Sequence, residues 1–357
     1  MKRVLLLFGG RSTEHQISCL SAKSVLEVID RDRYEVLAVG ITRDGRWTLT
    51  DGNIEVAAGR QLPEVDEGGP TVALVGTRRG PTLIRVDDVD GGDAATSTLG
   101  PIDVVFPLLH GPWGEDGTVQ GLLATVGVPY VGADVTASSI GIDKAVMKAT
   151  FAARGLPQGG YLAVHRSRWE HDPDGVRAEL TAALPAPWFT KPVRQGSSIG
   201  ISKVHDLDDL DAAMDEAFTF DEVALIEQGL EHARELEVGV LGDGELDVSR
   251  PGEIVPSNEF YDFDAKYLAA SDLRIPAEVP EAVAARIDEL AREAYRAIGC
   301  RGLARVDLFL QPDGELLLNE INTIPGFTPI SMFPRLWAAE GITYTQLVER
   351  LLTDARL

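Results

Sequence analysis

The stretch from Arg305 to Asn322, R-V-D-L-F-L-Q-P-D-G-E-L-L-L-N-E-I-N, constrains the fold most tightly, because it reads as a β-hairpin with three acceptor side chains on one face. Its arms are rich in Val, Ile, Leu and Phe, and Asp313-Gly314 between them is a strong turn signal. With those two residues as the turn, Asp307 lies opposite Glu320 and Arg305 opposite Asn322. Side chains two apart share a strand face, so all four project the same way. Facing carboxylates destabilise a sheet unless a cation lies between them. Two carboxylates and an amide oxygen, with positions left for water and phosphate, suit Mg²⁺. The register has an alternative. Pro312-Asp313-Gly314 also suits a type I turn followed by a glycine bulge, and that three-residue loop sends Asp307 and Glu320 to opposite faces; a two- or four-residue loop keeps them together.

Upstream, the apolar run at 4 to 8 stops at Gly9-Gly10, and a helical pattern follows through Ile17, Leu20, Ser24 and Val28, with Thr13 and Gln16 spaced as a capping box. Further strands are expected at 35 to 41 and 102 to 108, so residues 1–130 read as an N-terminal α/β domain with an open, mostly parallel sheet. Residues 51 to 100, rich in Gly, Asp, Thr and Pro, suggest an irregular insertion or β-arm. A helix beginning near Ser139 carries Lys144 and Lys148 and ends at Arg154-Gly155-Leu156-Pro157. Strands near 160 to 164, 187 to 191 and 223 to 227 complete a central α+β module, 131–234. A second, 235–357, holds strands near 236 to 241 and 245 to 248, a helix at about 280 to 298, the hairpin and a last helix near 341 to 353. A cleft between modules is the natural ligand site.

Charge narrows the ligand. The chain has 357 residues and a net charge of −23, which argues against a sequence-independent grip on nucleic acid or an anionic membrane. An anionic ligand therefore needs local Lys, Arg, backbone N–H groups or metal. The two cysteines, Cys19 and Cys300, form no disulfide or zinc pattern, which fits a reducing cytoplasm. The opening M-K-R-V-L-L-L-F-G-G is too short in its apolar run for a signal peptide, and no stretch of about 18 apolar residues follows, so the expected location is cytoplasmic.

Other segments carry candidate chemistry. Lys191-Pro-Val-Arg-Gln-Gly-Ser-Ser-Ile-Gly200 can lay backbone N–H groups and the Ser197 and Ser198 hydroxyls over phosphate oxygens, or be a plain turn; it is not a P-loop, since no G-x-x-x-x-G-K-[ST] occurs. Phe260 to Tyr267 mixes aromatics with Lys266 and reads equally as a core-facing loop. His110 closes an apolar strand at the edge where open α/β sheets present functional groups, or is a satisfied structural histidine. Glu14 at a helix start can bind an ammonium group or complement the helix dipole.

Taken in order, F-G-G-R-S-T-E-H-Q-I-S, L-H-G-P-W-G-E-D-G-T, D-K-A-V-M-K, K-P-V-R-Q-G-S-S-I-G, F-Y-D-F-D-A-K-Y-L, R-V-D-L-F-L and N-E-I-N-T-I-P-G-F-T-P-I-S-M resemble the D-alanine:D-alanine ligases of the ATP-grasp superfamily, over about residues 4 to 340. The resemblance implies an N-terminal substrate domain followed by the two α+β modules of an ATP-grasp fold. It implies ATP-dependent joining of two D-alanines through D-alanyl phosphate, for peptidoglycan precursors, in a cytoplasmic homodimer.

By similarity, Lys144, Lys191, Ser198 and Lys266 hold the nucleotide, Glu227 sits at the adenine hinge and Glu235 matches the ribose ligand, with Glu237 as an alternative. Asp307, Glu320 and Asn322 match the ligands of two Mg²⁺, with Mn²⁺ as a substitute. Arg305 and the Gly326 N–H match the oxyanion hole. Glu14 matches the ammonium site of the first D-alanine, with His110 near its carboxylate; Ser331 and the Met332 backbone match the carboxylate site of the second; Ser197 and Tyr267 join Glu14 in closing a lid. Gln195, Phe263 and Gly229 depart from the pattern and touch only fine nucleotide contacts. The chemistry needs such a site, because carboxylate and γ-phosphate are both anions: at about 4 Å each unit repulsion is roughly 1 kcal/mol in water and about 4 at an effective dielectric near 20. The nearest rival is a ligase taking D-lactate second, against which Tyr267 argues. A dehydrogenase would leave the hairpin without a role and lacks G-x-G-x-x-G.

Overall fold

The apolar run from Val4 to Phe8 becomes the strand Lys2–Gly9, buried from Val4 onward. It pairs in parallel with Tyr34–Ile41 and Val104–Pro107, and Trp47–Thr50 closes the outer edge antiparallel. Such a strand is covered on both faces, which is why its sequence does not alternate. The helix His15–Val28 lays Cys19, Ala22 and Val25 on Val4, Leu6 and Phe8, and the same core takes in Leu347, Val348 and Leu351 of the last helix, Tyr344–Asp354. The end of the chain thus packs on its beginning.

This computed structural model describes residues 1–54, 62–87, 95–255 and 272–357. Phe263, Lys266 and Tyr267, with the whole segment from Asn258 to Leu268, lie outside the described residues. Of the stretch from 51 to 100, the described part forms a three-stranded antiparallel sheet of Val72–Thr77, Gly80–Asp87 and Ala95–Pro101.

The central sheet orders Ser202–Val204, Trp188–Pro192, Val223–Gln228 and Tyr161–His165, all antiparallel, with Val176, Leu180, Leu210 and Met214 from two helices packed on one face. The third sheet centres on Arg234–Asp243, flanked by Gly252–Val255 and Gly302–Leu310, with Leu316–Asn322 beyond. Helix Glu281–Ala297 covers it with Ile287, Leu290 and Ala294.

Local expectations change in three places. The helix expected from Ser139 is two helices, Val135–Ile142 and Lys144–Ala153, because Asp143 turns extended (ψ 97°) and caps the second by accepting the Val146 N–H. The Thr13–Gln16 capping box does not form: the Ser12 hydroxyl receives the Glu14 N–H, and Gln16 donates to Glu64 at 3.0 Å. A capping box forms instead at Thr343 and Gln346, ahead of the last helix. Thr343→Ala is expected to cost about 1 kcal/mol. A urea midpoint equal to wild type would contradict that.

The third change concerns the hairpin. The Gln311 N–H donates to the Glu315 carbonyl at 2.8 Å and the Gly314 N–H to the Gln311 carbonyl at 2.9 Å, leaving Pro312-Asp313-Gly314 as a three-residue loop with Gly314 at φ 94°. The loop is therefore not the two-residue turn. Yet the feared separation does not follow. Leu308 pairs with Leu318, the register shifts, and Asp307 pairs with Glu320 and Arg305 with Asn322. Asn319 is the extra residue on the returning strand, and this second irregularity undoes the offset of the first, since one inserted residue flips every side chain beyond it.

Candidate active site

A cavity of about 510 Å³ opens between the central and third sheets, lined by Phe189 and Lys191 on one side and Glu235, Phe309 and Glu320 on the other. Lys144, Ser197, Ser198, Lys203 and Glu227 also face it, so most residues expected at the nucleotide come together. Ser197 and Ser198 stand at φ 49° and 58°, a left-handed backbone uncommon for serine, which folds the loop over the cavity mouth. Gly229 is forced by space: a Cβ there would lie 2.8 Å from the Pro187 carbonyl oxygen.

Beneath the cavity lies a buried triad. Glu227 is held by Lys148 at 2.7 Å and by Lys191 in a still shorter pair, with the Lys148 ammonium 5.5 Å from the Tyr161 ring centre. Burial alone would raise the Glu227 pKa, but Lys191 and Lys148 outweigh it and hold the carboxyl at about 2. Lys191 is likewise kept charged: burial works against its ammonium, and Glu227 and Glu320 more than offset that.

On the third sheet, Glu237, Asp307 and Glu320 occupy paired positions on three adjacent strands. Arg305 reconciles the first two. Its Nε donates to Asp307 Oδ1 at 2.7 Å and its Nη2 to Oδ2 at 2.6 Å, while Glu237 Oε2 lies 3.0 Å from the same Nε. Asn322 Nδ2 donates to Asp307 Oδ2 at 3.0 Å, and Lys144 sits 3.4 Å from Glu320 while donating to the Gln195 carbonyl at 2.9 Å. Glu237, the alternative ribose ligand, therefore faces Arg305, whereas Glu235 faces the cavity. The set fits a hard divalent cation: its carboxylates are close enough to need positive charge, and protein cations supply it here. Among the described residues no group of three or more His, Cys, Asp or Glu could hold a metal by itself. A cation on this hairpin would thus also use the Asn322 amide and phosphate oxygens.

At the carboxyl edge of the N-terminal sheet, the Ser197 hydroxyl donates to the buried Glu14 carboxylate, bridging that domain to the loop 194–200 of the central module. A Cβ on Gly111 or on Gly196 would lie 2.7 Å from Glu14 Oε2, so a side chain at either position would push that carboxylate aside. His110 is buried, its Nδ1 3.0 Å from the Ile324 carbonyl and its Nε2 3.1 Å from the Ser21 hydroxyl. Both ring nitrogens are thus engaged within the protein. Burial lowers its pKa, with Glu14 pulling the other way, so the ring is neutral, with Nδ1–H donating to Ile324 and Nε2 accepting from Ser21.

Sequence reasoning missed the role of one residue outright and misread two others. Glu115 accepts the Gly111 N–H at 2.8 Å and the Ile324 N–H at 3.3 Å, and burial followed by Glu14 pushes its carboxyl up to about 8. Lys148 was placed on its helix beside Lys144 without a role, and Glu237 was read as an alternative ribose ligand, whereas the structure pairs them with Glu227 and Arg305. Gly326 and Ser331 face each other across the last loop: a Gly326 Cβ would lie 3.2 Å from Ser331 Oγ, which is 2.8 Å from the Thr328 hydroxyl. Ser331 is the N-cap of the helix Met332–Ala339 without capping it, so the Met332 N–H lies at a helix N-terminus suited to a carboxylate.

Residues 3–133 match the family model described as D-ala D-ala ligase N-terminus, and residues 150–353 the one described as D-ala D-ala ligase C-terminus. The D-alanine--D-alanine ligase of Pseudarthrobacter chlorophenolicus is 47% identical over 98% of this chain and 93% of its own. The D-alanine-D-alanine ligase from Coxiella burnetii superposes with a TM-score of 0.81 at 29% identity, over 99% of this chain and 93% of that one. The VanG D-Ala:D-Ser ligase of Enterococcus faecalis gives 0.80 at 32%, over 99% and 98%.

Proposed function

This chain belongs to the D-alanine–D-alanine ligase family, and from that premise we propose how its own residues make the peptide. It joins two D-alanines with consumption of ATP, releasing ADP and phosphate, and the dipeptide serves peptidoglycan precursors. The adenosine lies in the 510 Å³ cavity against Phe189 and Phe309, with Glu235 at the ribose and Glu227 at the hinge. Lys144, Lys191 and Lys266 take the phosphates, aided by Ser198.

Glu14, fixed by Ser197, holds the first D-alanine's ammonium, with His110 setting the wall of that site; Tyr267 completes the closure. The carboxylate of the first D-alanine attacks the γ-phosphorus, ADP leaves, and D-alanyl phosphate results. The amine of the second D-alanine, aligned by Ser331 and the Met332 N–H, then attacks the acyl carbon, and Arg305 and the Gly326 N–H hold the oxyanion until phosphate leaves. Asp307, Glu320 and Asn322 would hold two Mg²⁺, and the bound ions would supply positive charge to the phosphate oxygens. The observation that carries this reading is the restored pairing of Asp307, held by Arg305, with Glu320, which lines the lysine-bearing cavity. A homodimer is supported by apolar surface at Trp113, Leu122 and Val135, exposed in the monomer. The absence among the described residues of a helix able to cross a membrane is compatible with a cytoplasmic enzyme.

With ATP, Mg²⁺ and D-alanine, the protein is expected to release ADP in step with D-alanyl-D-alanine. ADP release indifferent to D-alanine would overturn the assignment. Adding D-lactate across pH tests the depsipeptide alternative, because an amine must be deprotonated to attack and a hydroxyl need not be.

A further inference from the structure

Arg305 cannot serve two masters at once. Both oxygens of Asp307 receive guanidinium N–H bonds at 2.6 and 2.7 Å, and one also receives the Asn322 amide, so three of about four acceptor sites on Asp307 are taken. A dication on Asp307 competes with those bonds and repels the guanidinium that makes them. Yet the oxyanion role requires Arg305 to stay charged and nearby. Glu237 answers both needs. It lies directly across the strand pair from Asp307, it is 6% exposed, and its Oε2 is already 3.0 Å from the Arg305 Nε that now donates to Asp307. Because Glu237 Oε2 already lies within 3.0 Å of that Nε, the same N–H is in reach of both carboxylates.

We propose that Glu237 is a positioning residue that receives Arg305 when Asp307 passes to a divalent cation. It thereby releases Asp307 for the metal and aims Arg305 at the reacting carbonyl. Cation loading and presentation of Arg305 become one event, in which Glu237 sets how easily Asp307 is vacated. The proposal rests on the hairpin being the metal site. It differs from that reading because Glu237 itself need not touch the metal.

The test reads Mn²⁺ binding without turnover, from the loss of the free-ion paramagnetic resonance signal, on the full chain with a non-hydrolysable ATP analogue. Five proteins are compared: wild type, Glu237→Gln, Glu237→Asp, Arg305→Ala and the double variant that joins Glu237→Gln to Arg305→Ala. Glu237→Gln is expected to weaken Mn²⁺ binding about tenfold, within the range of coupled neighbours. Arg305→Ala should bind Mn²⁺ at least as tightly as wild type while losing ligation, and in its background Glu237→Gln should change little. Equal weakening in both backgrounds would mean a simple charge effect on the ion and overturn the proposal; so would wild-type affinity in Glu237→Gln. Glu237→Asp, which keeps the carboxylate but withdraws it by one methylene, should fall between; wild-type affinity there counts against the handover even if the amide variant fails to fold. Absence of Mn²⁺ uptake by the wild type would instead remove the metal reading itself, and this proposal with it.

Discussion

Glu320→Gln is expected to abolish dipeptide synthesis while leaving a folded protein. Glu320 faces Asp307 across the hairpin and is the acidic partner of Lys144 at 3.4 Å, with Lys191 also within its field. Its side chain is only 22% exposed, but neutralising it also relieves the repulsion from the facing Asp307, which offsets much of the lost Lys144 pair and keeps the net stability cost at about 1 kcal/mol. The rate is another matter. A carboxylate holding metal charge against a transferring phosphoryl group contributes several kcal/mol to the transition state, on the order of 10³-fold or more. Thermal denaturation should therefore stay near wild type while ADP release with D-alanine disappears and the Mg²⁺ needed for any residual rate rises. Near-normal turnover at ordinary Mg²⁺ would remove Glu320 from the metal site.

Much of this was legible in the sequence, for reasons that differ by residue. Strands such as Lys2–Gly9 and Val223–Gln228 announced themselves as apolar runs, because a strand covered on both faces has no polar side. The facing of Asp307 and Glu320 was also readable, but for an incomplete reason. Parity through Asp313-Gly314 gave the right pairing, while the real loop has three residues and Asn319 absorbs the offset. Two compensating irregularities leave no trace in a periodicity of two. Charge networks were less legible still: the Arg305–Glu237 contact depends on which strand lies beside the hairpin, and the Glu115 cluster on a loop from 324 meeting one from 111. Such tertiary choices have no local signature. The break at Asp143 was visible in principle, since an aspartate three residues before a backbone N–H is a cap, yet helical periodicity on both sides masked it.

Glu227→Gln is expected to weaken both the fold and the nucleotide site, because it leaves Lys148 and Lys191 buried around a neutral amide. Removing one partner from a buried ionic cluster costs about 3–5 kcal/mol, well beyond what the shape of the side chain could explain. The same carboxylate sets an acid limb of stability. Its folded pKa, about 2, lies below the ordinary 4.5, so the stabilisation is complete above pH 4.5 and is lost as pH falls from there toward 2. The difference corresponds to about 3 kcal/mol. Urea midpoints for the wild type should therefore drop between pH 5 and pH 3 more steeply than for Glu227→Gln, which has no proton to take up at that position. Pairing it with Lys148→Met should recover part of the loss at pH 7, since one of the two stranded ammonium groups is then gone. A single variant as stable as wild type at pH 7, or with an identical acid slope, would show that the lysines are neutralised elsewhere and that Glu227 does not hold Lys191 in place for phosphate.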